Sequence, residues 1–265
     1  MKISWSYIKK NFKKKLARKL VSDGFYFGHK GYCPCCDQQV GFETWNYEMR
    51  ETFKCLNCGC IPRERALMVT IEKYFPNWKT LSIHESSPAQ RGTSVKLKAN
   101  CNNYTTSQYY PGRPFGTVID GHRNEDLEQQ TFGDAQFDIV VTQDVLEHVY
   151  DPSKTFSEIA RTLKPGGAHI FTTPLINKHF PSEVWATKGP DGNPIFTKTP
   201  EYHRNPVDPK GSPVTMHWGF DIVDHITAAS GLSSTIESID DLKFGIRSEL
   251  IEVVVSRKKK IVDNE

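Results

Sequence analysis

The stretch Phe137-Asp-Ile-Val-Val-Thr142 constrains the fold more than any other part of the chain. It is apolar or β-branched at almost every position, so it reads as a strand buried on both faces. Asp151-Pro152-Ser153 then opens a helix, because an acidic N-cap and a proline in the first turn both suit that end. Lys164-Pro-Gly-Gly167 stops the helix after about Leu163, and Ala168–Thr173 is strand-like again. A strand, a crossover helix and a second strand imply a parallel pair with the helix packed on the sheet.

The same alternation extends in both directions. Residues 63–75 read as a helix stopped by Pro76, Leu81–Ile83 as a first strand, Tyr104–Ser107 as a second and Thr117–Ile119 as a third. Asp221–Ser230 reads as a helix closed by Gly231, followed by strands near Ser234–Ile239 and Leu250–Ser256. The expectation is an α/β chain whose parallel sheet has helices on both faces. Residues 176–217 break the rhythm with seven prolines, Gly189, Gly192 and Gly211. A segment of that length without its own pattern reads as a lid or binding loop.

Six of the seven cysteines fall between Cys33 and Cys60. Cys33-Pro-Cys-Cys36 and Cys55-Leu-Asn-Cys58 form two C-x2-C knuckles separated by eighteen residues. Two such knuckles supply the four thiolates of a closed tetrahedral zinc, so Cys33, Cys36, Cys55 and Cys58 are the expected ligands of a structural ion. Cys35 or Cys60 could replace a neighbour in that set.

The first twenty residues hold eight Lys or Arg and no acid, with Ile3, Trp5, Ile8, Phe12, Leu16 and Leu20 at helical spacing. Such a basic amphipathic helix suits docking on the body or peripheral contact with an anionic membrane through residues 2–21. The remaining 26 basic residues against 31 acidic ones leave the body at −5, which argues against nucleic acid as a partner. No apolar run is long enough to span a bilayer and no secretory signal pattern is present, so a cytoplasmic setting, at or near a membrane surface, is expected. The chain divides into the basic helix (1–30), the cysteine segment (31–62), the main domain (63–258) and a tail (259–265).

Phe137-Asp-x-Val, then Val145-Leu-Glu-His-Val149, then Leu163-Lys-Pro-Gly-Gly167, in this order and spacing, resembles the class I S-adenosylmethionine-dependent methyltransferases. The resemblance covers about residues 80–175 and implies a Rossmann-like sheet, preceded here by a small zinc ribbon. It implies S-adenosylmethionine as cofactor, held by His84, Glu85, Ser87, Gln108, Asp126, Leu127 and Gln143. Asp126 falls where the family places an acid for the adenine amine. Two positions depart from the family pattern. Leu81-Ser-Ile-His-Glu-Ser-Ser-Pro88 lacks the glycines of the first turn, so Glu85, Ser86 and Ser87 would replace close backbone approach by side-chain hydrogen bonds. Gln108 stands where the family has a ribose-binding acid. The cysteine segment ending in Pro62-Arg-Glu-Arg65 is similar to a bacterial subgroup associated with surface-glycan assembly.

The implied reaction is in-line methyl transfer to a hydroxyl of a sugar or glycan intermediate, with a histidine as general base. The candidates are His148, after the strongest strand, and His203 and His217 in the Pro-rich segment. His148 suits equally a brace for its turn. Another reading lets Asp144, Glu147 and His148 hold Mg²⁺ beside the acceptor. Alternatives for the whole chain are an RNA or protein methyltransferase that uses the zinc ribbon for its substrate, and a non-catalytic binding protein on the same fold.

Overall fold

The computed structural model describes residues 24–205 and 207–260. The basic helix expected over residues 2–21 lies outside the described residues. A three-stranded antiparallel sheet comes first: β1 (Phe27–Cys33), β2 (Gln38–Thr44) and the short β3 (Lys54–Cys55). It begins ahead of the first cysteine. Its Gly31 lies against the Lys243 carbonyl so closely that any Cβ would collide with it.

The central sheet is built from β4 (Ser82–Ser86), β5 (Asn103–Gln108), β6 (Val118–Ile119), β7 (His122–Asn124), β8 (Phe137–Gln143) and β9 (Leu163–Thr172), with β16 (Ser233–Glu237) and β17 (Val253–Arg257) at one edge. Its order is β16-β17-β9-β8-β4-β5-β7-β6. Strands β9, β8, β4, β5 and β7 run parallel, while β17 is antiparallel to both β9 and β16. The sheet is therefore mixed at its edge rather than wholly parallel. The third parallel strand is His122–Asn124; the expected Thr117–Ile119 instead supplies β6, an antiparallel edge strand paired with β7.

Alternation along the buried strands divides one apolar run between two cores. Ile139, Val141, Ile170, Val253 and Val255 pack with the helix Pro62–Tyr74 and the cysteine sheet. Phe137, Val140, Phe171 and Val254 pack with the helices Pro152–Thr162 and Ile222–Ser230. Each fully buried side chain of this size contributes about 1.5–3 kcal/mol. Asp151 caps its helix by accepting from the Lys154 amide at 3.0 Å, and Gly231 ends the last helix in the left-handed conformation that a residue with a Cβ resists. Lys164-Pro-Gly-Gly167 is part of β9 itself. A Cβ on Gly167 would stand 2.8 Å from the Asp138 carbonyl, so this motif allows strand β9 to approach β8 where their register shifts.

The segment 176–217 is made of short antiparallel pairs rather than irregular loop. They are β10 (Glu183–Val184) with β15 (Met216–His217), β11 (Ala186–Lys188) with β12 (Pro194–Phe196), and β13 (Tyr202–His203) with β14 (Ser212–Pro213). It is stitched to the turn after β8. The Glu147 carbonyl accepts from the Thr215 amide at 2.7 Å, and Trp218, fully buried, donates through Nε1 to the Leu146 carbonyl at 3.1 Å.

Candidate active site

In an open α/β sheet, ligands bind beyond the carboxyl ends of the parallel strands. Four carboxylates lie at or just beyond those ends here. Glu85, on β4, is wholly buried and accepts from Ser94 Oγ at 2.6 Å, Tyr104 Oη at 2.5 Å and Gln143 Nε2 at 2.7 Å. Burial raises its pKa above the ordinary carboxylate value, against those three donors. Glu85 and Gln143 were expected to touch a cofactor; they form an internal brace with Ser94. His84, expected in the same role, points into the core. Its Nε2 lies 2.8 Å from Ser107 Oγ, its ring packs edge-on to Phe132, and burial lowers its pKa to about 3. Ser87 takes φ +57°, the left-handed conformation a glycine would adopt without strain. The first turn therefore keeps a glycine-like backbone with serine in place.

Gln108 ends β5 half-buried, and among the described residues no hydrogen bond ties its side chain down. Asp126 accepts from the Glu128 amide at 2.9 Å, and burial raises its pKa. It lines a polar cavity of about 790 Å³ with Glu128, Gln129, Gln130 and Lys154. Leu127, beside it, is buried. Ser87, Gln108 and Asp126 thus stand at or just beyond the ends of β4, β5 and β7.

Asp144 turns away from any metal. Its Oδ2 is 2.7 Å from Arg50 Nη2 and 2.9 Å from Arg63 Nε, and Thr172 donates to its Oδ1 at 3.1 Å. Burial pushes this carboxyl up, but Arg63 and Arg50 outweigh it and leave the pKa below the ordinary value. The Mg²⁺ set of Asp144, Glu147 and His148 is therefore broken at its first member.

Glu147 and His148 follow in the same turn. Glu147 Oε2 accepts from Thr173 Oγ1 at 2.9 Å. Its Oε1 is 3.8 Å from His148 Nε2 and 3.7 Å from His203 Nδ1, too far for a hydrogen bond. The rings of His148 and His203 meet edge-on at 4.9 Å. His148 Nδ1 lies 2.8 Å from the Pro213 carbonyl. A carbonyl only accepts, so Nδ1 carries the proton and Nε2 presents its lone pair inward. The Glu147 carboxylate raises the His203 pKa above the ordinary histidine value, against burial. Glu201 lies 3.4 Å from His203 Nε2 and 3.0 Å from His217 Nε2, and Trp185 stacks on His217 at 3.8 Å. His148 and His203, 55 residues apart in the chain, therefore meet, and Glu201 links His203 to His217. Glu201 and Trp185 belong to the same cluster and carry no sequence signal that would single them out.

The cysteines form a second centre. The Sγ atoms of Cys33, Cys55, Cys58 and Cys60 all lie within 4.8 Å of one another. Cys60 stands in this quartet where Cys36 was expected. Cys60 Sγ is 3.4 Å from Cys33 Sγ, while Cys36 touches only the rim, 3.9 Å from Cys55 Sγ. Cys35 turns away toward the Glu64 carbonyl and Thr93. Arg65, wholly buried, donates to the carbonyls of Cys60, Phe53 and Gly245 and, at 3.5 Å, to Cys60 Sγ. Among the described residues no carboxylate pairs with it. A buried cation needs a counter-charge, and thiolates supply one.

A methyltransferase-domain family model matches residues 101–171. That match, joined to the strand order with its antiparallel β17, decides the fold. The fold is that of the class I methyltransferases. A dimethylglycine N-methyltransferase of Parasynechococcus marenigrum is 44% identical over 49 residues, 18% of each chain. A ubiquinone biosynthesis O-methyltransferase of Aromatoleum aromaticum is 35% identical over 74 residues, 28% of this chain and 31% of that one. The chain thus spans under a third of the length of these curated relatives. An S-adenosylmethionine-dependent methyltransferase of Mesorhizobium loti shares 15% identity over 73% of this chain and 98% of its own, with a TM-score of 0.48. Among the described residues no helix is long and apolar enough to cross a membrane.

Proposed function

We propose that this methyltransferase fold moves a methyl group from S-adenosylmethionine to a hydroxyl of a small polar acceptor, of the sugar or glycan class. The observation that carries the reading is the meeting of His148, His203 and His217 with Glu147 and Glu201, where the Pro-rich segment covers the carboxyl end of β8. When bound, S-adenosylmethionine supplies a methyl carried on a sulfonium. The chain's residues then have three tasks. Ser87, Gln108 and Asp126 hold the donor over the strand ends. The imidazole cluster takes the acceptor's proton, with Glu147 and Glu201 setting ring orientation and charge. The paired strands 183–217 exclude water from the reacting atoms. An open depression of about 360 Å³ on that segment, lined by Tyr202, His203, Arg204, Asn205 and Lys210, offers an aromatic face and hydrogen-bonding groups that suit an acceptor such as a sugar. The relatives named above methylate through oxygen in one case and nitrogen in the other, and the histidines favour oxygen here, because an alcohol must lose its proton for transfer.

A structural zinc completes the reading. Cys33, Cys55, Cys58 and Cys60 would hold it, and Arg65 would offset part of its net negative charge. The closed thiolate set leaves this ion no catalytic position. Residues 2–21 are proposed to keep the protein at an anionic membrane surface, near glycan intermediates.

Calorimetric titration with S-adenosylmethionine and S-adenosylhomocysteine tests the reading. Micromolar binding, weakened at least about tenfold in Asp126→Ala, is expected. A folded, zinc-loaded protein that binds neither compound at millimolar concentration would move the chain to the non-catalytic alternative.

A further inference from the structure

Glu147 is 2% exposed, and its Oε1 has no hydrogen-bond partner although two imidazoles flank it. A bare buried carboxylate oxygen is costly, and a short histidine contact would relieve it. The rings instead stand off at 3.7 and 3.8 Å. These separations are close to what a central ion requires. A tetrahedral cation with ligands at about 2.0–2.2 Å spaces its donors roughly 3.3–3.6 Å apart.

The atoms behind the three donors fit the same purpose. Ligating histidines almost always give their other N–H to a carbonyl or a carboxylate. His148 gives Nδ1–H to the Pro213 carbonyl, and His203 Nε2 faces Glu201 at 3.4 Å. The second oxygen of Glu147 is fixed by Thr173. His148 and Glu147 are thus each aimed by a hydrogen bond on the far side, and His203 has a carboxylate within 3.4 Å there.

We infer that Glu147 Oε1, His148 Nε2 and His203 Nδ1 form a binding site for a divalent transition ion, separate from the cysteine centre. Two imidazoles and one carboxylate suit Mn²⁺, Fe²⁺, Co²⁺ or Zn²⁺ and disfavour Mg²⁺, which demands oxygen. Positions not taken by protein would be open to water or to an acceptor oxygen. The site deepens the proposed reaction and rests on that reading for its purpose, but not for its existence. An imidazole bound through its lone pair accepts no proton, so in the loaded protein His217 is the histidine left to receive one.

Electron paramagnetic resonance titration of the full chain with Mn²⁺ tests the site, since Mn²⁺ avoids thiolates and leaves the cysteine centre alone. One bound Mn²⁺ per chain is expected, displaced by added Zn²⁺. Glu147→Gln and His203→Ala should each weaken it at least tenfold, and Glu201→Ala by roughly tenfold. Cys36→Ser should leave it unchanged. Wild-type protein that binds no Mn²⁺ and retains no Zn²⁺ beyond the cysteine-bound equivalent would overturn the inference. So would Mn²⁺ affinity unaltered in both Glu147→Gln and His203→Ala, each checked for native thermal unfolding. S-adenosylhomocysteine binding on the same samples separates the two proposals. Donor binding without metal removes the metal site alone; metal without donor binding supports the site and removes the methyl-transfer reading.

Discussion

Glu85 and Glu147 are buried to the same degree at the ends of adjacent strands, yet their surroundings are opposite. Glu85 has three donors and faces no cation. Glu147 has one donor on one oxygen, while the other oxygen confronts two imidazoles without bonding either. A saturated buried carboxylate holds elements together; one left half-satisfied stores a cost that a ligand can relieve. Asp144 is the intermediate case, paired with two half-buried arginines that join the turn after β8 to the cysteine-bearing region.

The largest effect is expected at Glu147. Glu147→Gln keeps an oxygen for Thr173, so urea unfolding should change by no more than about 0.5 kcal/mol, whereas methyl transfer should fall at least about 10²-fold. A marked loss of stability there would place Glu147 with Glu85 as a brace. Asp144→Leu leaves Arg50 and Arg63 with Glu51 as their remaining carboxylate and should cost up to about 3 kcal/mol of stability in the same assay. Glu85→Leu removes the acceptor of Ser94, Tyr104 and Gln143 and should cost about 2 kcal/mol. An Asp144→Leu protein as stable as wild type would show that Glu51 alone suffices for the two arginines.

The smallest effect is in pH dependence, where Asp144 and Glu85 have opposite signs. The folded pKa of Asp144 is lowered, so its contribution is present above the unfolded value near about 3.9 and is lost as pH falls through the folded value. Asp144→Asn should flatten the acid limb of the stability curve. The folded pKa of Glu85 is raised, so its contribution is full below about 4.3 and declines as pH rises toward the folded value. Glu85→Gln should flatten the curve above that point. If both variants flatten the same side, the distinction between an ion-paired and a desolvated carboxylate fails.

The chain reveals much of this architecture without coordinates. Strand β8 was legible because its apolar run admits only a doubly buried strand, and the helix Pro152–Thr162 because Asp151 and Pro152 mark its start. The hairpins within 183–217 were not legible. Their strands are two or three residues long, below the length at which alternation gives a signal, and prolines mask them. The methyltransferase resemblance assigns His84, Glu85 and Gln143 to a cofactor. Their hydrogen bonds to Ser107, Ser94 and one another turn them inward, a choice that depends on neighbours far away in the chain.

The sequence by itself determined the alternation of strands and helices, the two cysteine knuckles, and the histidines worth watching. Those follow from local periodicity, turn chemistry and residue type, which act over a few positions. Tertiary structure alone decided that Cys60 rather than Cys36 closes the thiolate quartet, that Asp144 is consumed by Arg50 and Arg63, and that His203 crosses 55 residues to stand beside Glu147. Each outcome is a competition between partners that packing brings within a few ångströms, and sequence spacing carries no record of those distances.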